Sequence, residues 1–156
     1  MKNIKTGIIT GDITIGNAFV YRPASVEPSS VEFKGTEAET EAFRSALEAV
    51  KGELSVLAAS EDIFAAHYEM ADDPMLEEQA IMFIEEGLGA YSAVKSTSEA
   101  LCAMLDEIDD EYLKARKDDV KDVCRRIADK ISGECDADVF AGLEAGSIIV
   151  AEELAP

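Results

Sequence analysis

From Thr36 onward the apolar residues of this chain recur at i, i+3, i+4 and i+7, the spacing that one face of an α-helix requires at about 100° per residue. Phe43, Ala46, Leu47, Val50, Leu54 and Leu57 form one such stripe and predict a first helix that ends near Ser60. Gly52 inside it costs roughly 1 kcal/mol relative to Ala without ending it. Thr36 and Glu39 have the spacing of a capping box, and Ser60 stands where a cap for the next helix belongs. That next helix, residues 61–73, has Ile63, Phe64, His67, Met70 and Ala71 on a core side, and Glu61, Asp62, Tyr68, Glu69, Asp72 and Asp73 on an acidic one. Pro74 lacks an amide proton and disfavours helical geometry at Asp73, so the helix stops or kinks there. Met75 and Leu76 then open a further apolar run through Ile81, Phe83 and Ile84. A broken helix with Tyr, Met and carboxylates at its break is a candidate docking surface.

Gly87 and Gly89 punctuate the chain before a third long helix, residues 90–108, with Tyr91, Val94, Ser98, Leu101, Cys102, Leu105 and Ile108 on its core stripe. The acidic run 106–111 is a turn whose carboxylates suit the positive N-terminus of a fourth helix, about 110–131. This helix buries Tyr112, Leu113, Val120, Val123, Cys124 and Ile127, and Gly133 stands in the position of a helix stop. The ends of the chain read differently. Residues 4–10 and 14–21 are short β segments punctuated by Gly7, Gly11 and Gly16, and 23–35 is a connector rich in Ser, Pro and Glu. Residues 146–154 have the apolar centre of a buried strand, which needs the N-terminal segments to complete a sheet. The expectation is a mainly α fold: four helices in two helical hairpins, inserted on short β-strands of an incomplete α/β unit. The corresponding divisions are 1–22, 23–35, 36–133 and 134–156.

Composition narrows the function classes. The 156 residues carry 33 acidic against 14 basic side chains, a net charge of −19, which opposes nucleic acid and anionic membranes and favours a basic partner. No apolar run approaches the ~18 residues of a membrane span, and the opening MKNIKTGIITGD turns polar too soon for a signal peptide, so a cytoplasmic protein is expected. Cys102, Cys124 and Cys135 are odd in number and widely spaced, which supports neither a disulfide framework nor a zinc site.

Chemistry is sparse. His67, the single histidine, lies on an apolar stripe and reads as a packed side chain tying the bundle together; no Ser or Cys nucleophile stands at useful spacing. A carboxylate-bridged metal bundle needs two Glu-x-x-His pairs, but Phe64 occupies the Glu position and there is no second His. The acidic segment 136–144 fails as a calcium loop, with Phe140 where an oxygen ligand is needed and Ala141 in place of Gly. Neither glycine-rich phosphate motif is present. Arg116, within the stripe of Tyr112, Val120 and Val123, is either paired with a carboxylate of a neighbouring helix or held at the surface for a partner.

Four segments carry a family resemblance: LDEIDDEYLKARKDDVKDVCRRI (105–127), IFAAHYEMADDPMLEEQ (63–79), the opening GIITGDITIGNAF and the closing IIVAEELAP. In order and spacing they resemble the N-terminal part of Enzyme I, the phosphoenolpyruvate-protein phosphotransferases of the bacterial sugar transport system. The resemblance implies a helical domain, inserted into a phosphohistidine α/β domain, that docks the small carrier HPr. The family's phosphorylated histidine lies in a motif beyond the strand that resembles 148–151, and His67 resembles a different histidine, within the docking helices. The stretch here, without that motif or the phosphoenolpyruvate-binding barrel, is expected to bind HPr but not to transfer phosphate. It needs no cofactor of its own, while Mg²⁺ and phosphoenolpyruvate are implied for the complete enzyme. By position in the matching motifs the docking surface comprises His67, Tyr68, Glu69, Met70, Asp72, Asp73, Met75 and Leu76, with Leu105, Leu113 and Arg116 from the following helices. Thr10–Gly11–Asp12 replaces the usual Ser-Pro-Gly, and Ala58, Ala59, Pro74 and Met75 stand where acidic residues are frequent, which thins the acidic ring. The competing expectation is a structural or dimerising helical module of another phosphoenolpyruvate-using protein, without HPr binding, in which the surface 68–76 is buried against another copy. Under either reading the terminal strands, as unpaired edges, could complete their sheet across a homodimer.

Overall fold

The computed structural model describes residues 16–21, 33–133, 142–144 and 146–151, and of residues 111–115 the backbone alone. Among the described residues the elements run β1 (Ala18–Val20), α1 (Thr36–Leu57), α2 (Asp62–Ala71), α3 (Pro74–Glu85), α4 (Ala90–Glu107), α5 (Glu111–Ser132) and β2 (Ile148–Val150). The chain divides into two compact units, Met1–Pro23 with Ala137–Pro156, and Ala24–Asp136.

In the first unit β1 and β2 pair in parallel, with Ala18 opposite Ile148, Phe19 opposite Ile149 and Val20 opposite Val150. Parallel strands require a long crossover, and the entire helical stretch provides it. The pairing is extended at both ends: Ile148 N–H donates to the Asn17 carbonyl at 2.8 Å and Tyr21 N–H to the Val150 carbonyl at 2.9 Å. Gly16 is required by this approach, since a Cβ there would lie 2.3 Å from the Gly146 carbonyl oxygen. The terminal segments therefore pair with each other, as their patterning requires, while the segment 4–10 lies outside the described residues. The expectation of a buried strand is corrected: Ile149 and Val150 are exposed, because a parallel strand is buried only when both faces are covered, and among the described residues the sheet has two strands.

In the second unit α1 packs against α2 and α5, and α4 against α3 and α5, so that α1 with the broken rod α2–α3, and α4 with α5, form two hairpins. The predicted α1 stripe is the centre of the core: Phe43, Leu47, Val50 and Leu54 are buried, with Ala71, Leu76, Ala80 and Ile84 from α2 and α3, Tyr91 and Val94 from α4, and Val123 and Ile127 from α5. Ile63 departs from its expected core side and is exposed, since the stripe of α2 is set by Phe64, His67 and Ala71 and Ile63 falls at its edge in the first turn. Ile81 and Phe83 are part-buried against the core rather than inside it. Gly133 ends α5 with φ +75°, as its position predicts.

Two capping expectations are overturned. Gly35, not Thr36, is the N-cap of α1, and no side chain caps that end. Glu39 is buried, and its carboxylate accepts from Lys34 N–H at 3.0 Å and from Ala90 N–H at 2.8 Å. It thus serves the start of α4, 51 residues away, where a helix has free amides and a positive dipole end. Ser60 closes α1 instead of opening α2, its hydroxyl donating to the Leu57 carbonyl at 2.7 Å, and Glu61 precedes α2 without a side-chain cap.

Replacing Glu39 with Ala should orphan the buried Ala90 amide and remove the anion at the α4 N-terminus, a loss of about 2–3 kcal/mol in urea unfolding. Glu39→Gln, which keeps an acceptor oxygen, should lose about half as much or less; equal losses would contradict the clamp. A second expectation concerns Cys124, whose thiol burial pushes up from 9.0 to about 12, against a smaller opposing hydrogen bond with Ser98. Because the folded state holds this proton longer than the unfolded chain, its contribution to stability is full below about pH 9 and is lost as pH rises toward 12. Cys124→Ala should flatten that part of the stability profile; an unchanged slope would show that other groups set it.

Candidate functional site

The break between α2 and α3 builds the site. Asp73 adopts extended geometry, φ −70° and ψ 121°, as a residue before proline prefers, and Pro74 occupies the first turn of α3, where its missing N–H costs nothing. The Asp73 carboxylate accepts from Met75 N–H at 2.9 Å and so caps α3. The turn brings Met70, from the last turn of α2, together with Met75 and Leu76, from the first of α3.

These side chains face α4 and α5 across a groove of about 370 Å³, lined by Met70, Asp73, Met75 and Leu76 on one side and Leu101, Met104, Leu105, Ile108, Arg116 and Val120 on the other. Leu76 and Val120 form a buried floor, and Met75, Met104 and Ile108 stand at the rim, exposed by 50%, 49% and 41%. The core stripe of α4 explains the opening: Tyr91, Val94 and Thr97 are buried, Leu101 and Leu105 part-buried, and Ile108 exposed, so one apolar face passes from core to surface along the helix.

Beneath the groove lies a polar link. His67 is fully buried, its Nε2 is 3.3 Å from the Asp119 carboxylate on α5, and its ring meets Phe64 edge-on at 6.1 Å between centroids. The other oxygen of Asp119 lies 3.9 Å from the Arg116 guanidinium one helical turn earlier. Asp119 therefore connects the histidine that holds α2 against α5 with the arginine in the groove wall. Arg116 is the single cation among the lining residues. Around it the surface is acidic: Asp72 and Asp73 border the break, and Asp106, Glu107, Asp109 and Asp110, all exposed, flank Ile108. Lys117 answers Asp106 at 2.7 Å and pins the end of α4 to α5.

Of the residues expected at the surface, Met70, Asp73, Met75, Leu76, Leu105 and Arg116 come together in the groove. His67 points inward; Tyr68, part-buried against the core, and the exposed Glu69 and Asp72 belong to α2 and its end but do not line the groove. The Leu113 side chain lies outside the described residues. Sequence reasoning missed Leu101, Met104, Ile108 and Val120 as site residues. Their signal was present, since Leu101, Met104, Leu105 and Ile108 are spaced i, i+3, i+4, i+7, but the same spacing serves a core. Among the described residues no group of three or more His, Cys, Asp or Glu is placed to hold a metal ion, and no helix is long and apolar enough to cross a membrane.

Comparison with known proteins matches this architecture to one family. The family described as "PEP-utilising enzyme, N-terminal" matches residues 7–116, well over half of the chain. The chain belongs to that family, as an Enzyme I-type N-terminal domain. It is 30% identical over 142 residues to the phosphoenolpyruvate-protein phosphotransferase of Listeria monocytogenes, a match covering 81% of this chain and 24% of that protein. It is 28% identical to the one from Bacillus subtilis over 166 residues, all of this chain and 29% of the relative. A solution structure of Enzyme I superimposes with a TM-score of 0.69 at 29% identity, covering 92% of this chain and 62% of the other. The chain thus spans about a quarter of the length of these curated relatives.

The double duty of Asp73, cap and groove wall, can be separated. Asp73→Ala should lose the cap and about 1 kcal/mol of stability, whereas Asp73→Asn, an equally good cap, should stay within about 0.5 kcal/mol of the parent while losing the charge. Equal thermal shifts for the two variants would mean that the cap contributes little.

Proposed function

We propose that the groove docks a small phosphocarrier protein of the HPr type, within a protein that passes phosphate from phosphoenolpyruvate to that carrier. The observation that carries this reading is the convergence of Met70, Met75, Leu76, Leu105 and Arg116 on one open apolar groove in a chain of this family. A partially exposed apolar centre ringed by carboxylates suits a transient partner: Met and Leu supply desolvated contact, while the acidic surroundings and the net charge of −19 steer a basic protein and give salt-sensitive, fast association. Arg116 would take a carbonyl or carboxylate of the carrier. His67, being buried, would act from behind by fixing α2 on α5. The β1–β2 unit would belong to a phosphohistidine domain into which the helical unit is inserted, and the protein would work in the cytoplasm.

The same groove bears on the dimerising alternative. Met75 and Met104 are each about half exposed within one chain, beside carboxylates, and two such acidic rims would repel across a twofold interface. That arrangement favours a basic carrier over a second copy.

Titration calorimetry with the organism's own HPr-type carrier, at low and at higher salt, tests the proposal. Binding should weaken with salt, and Met75→Ala and Arg116→Ala should each reduce affinity about tenfold. Val56→Ala, at an exposed position on α1 outside the groove, should leave it unchanged. No heat at high carrier concentration, or equal losses from all three variants, would overturn the proposal.

A further inference from the structure

We infer that Met75 and Met104 form a reversible oxidation site that closes the groove to its partner, a regulation of the docking site that rests on the docking reading above. The sequence has five methionines, and three of the four internal ones, Met70, Met75 and Met104, line a single groove. Their sulfurs come from three separate helical segments, so the cluster is assembled by the fold and not by local composition. Met75 and Met104 are half exposed at the rim, within reach of a small solute, while Met70 is part-buried. Met82, exposed by 43% on α3 but outside the groove, with its Sδ accepting from Gln79 Nε2 at 3.9 Å, is a built-in comparison for an exposed methionine that lines no groove.

The oxidant that fits is hydrogen peroxide. Asp73 in the wall and the exposed carboxylates at 106, 107, 109 and 110 repel anionic oxidants but not a neutral one. A lone pair on the thioether Sδ attacks one peroxide oxygen; the O–O bond breaks and an S–O bond forms. The proton of the transferred oxygen moves to the departing one, which leaves as water. Sulfur loses two electrons and peroxide gains them. The product sulfoxide is polar, so the rim that docking would desolvate now carries strong acceptors in an apolar wall, and its burial costs what any unpaired polar group costs. A methionine sulfoxide reductase reverses the change, the oxygen leaving as water while two thiols become a disulfide.

The test treats the full chain with hydrogen peroxide, follows each methionine by peptide mass, and measures carrier affinity before and after. Met75 and Met104 should gain oxygen at a rate within about threefold of Met82 and ahead of Met70. Oxidation should lower affinity about tenfold or more, and reductase treatment should restore it. The ratio of reduced to oxidised affinity is the deciding quantity: it should shrink to about twofold or less in the Met75→Leu/Met104→Leu double variant, whatever its starting affinity, and stay near the parent value in Met82→Leu. The inference fails if Met75 and Met104 remain thioethers when Met82 is fully oxidised, if affinity does not fall, if the double variant falls equally, or if reductase restores nothing. Should the untreated chain not bind the carrier, the docking reading fails by itself. An apolar fluorescent dye in the groove then decides the oxidation site: its emission should drop on oxidation of the parent and hold in the double variant, and no drop in the parent overturns the inference.

Discussion

Asp73 and Pro74 interrupt the hydrogen-bond ladder that would otherwise run unbroken from α2 into α3, and the groove exists because of that interruption. In a continuous helix, Met70 and Met75 would be five positions apart and point in well-separated directions. The extended residue at 73 lets the chain turn, and its carboxylate secures the new helix start through the Met75 amide at 2.9 Å. Leu76 is thereby driven into the core while Met75 is left at the rim. A single dipeptide thus converts a packed rod into one of the two walls of the groove, with the cost of the lost backbone bonds offset by a side-chain cap.

What holds those walls in place is polar and buried. Glu39 fixes the start of α4 relative to α1, and His67 with Asp119 fixes α2 relative to α5. Both links join segments distant in sequence, and both lie where loss of one partner strands a buried group, so they set orientation more strictly than apolar packing alone. The exposed pairs, Arg44 with Glu77 and Lys130 with Glu53, add little by comparison, because water and salt screen them. The groove thus has a base fixed by buried polar links and a rim of half-exposed methionines.

The sequence carried the α1 stripe, the break at Pro74 and the pairing of the terminal segments, because each follows from a local rule: helical periodicity, the missing proline amide, and the need of an apolar strand for a mate. His67 was only half legible: its place between Phe64 and Ala71 reads as packed, the resemblance put it on the docking surface, and periodicity alone does not decide between the two, whereas its full burial does. The depth of the α4 stripe was not legible. Periodicity assigns Leu101, Leu105 and Ile108 to a face but does not say where along the helix the neighbours stop covering it, and that boundary is what makes a groove. Glu39 was misread for a related reason, since Thr36 stood nearby as a plausible local partner while the Ala90 amide became available only through tertiary packing. Exposure of Ile149 and Val150 likewise depends on which layers cover the sheet, which the strand's own residues do not encode.

Methyl-labelled methionine in a saturated complex with the carrier decides whether the groove at the α2–α3 break is the docking surface. Docking in the groove gives intermolecular nuclear Overhauser effects from the Met75 and Met104 methyls to the carrier, and none from Met82, which lies outside the groove. Contacts confined to Met82, or a saturated complex with none at Met75 and Met104, would contradict it.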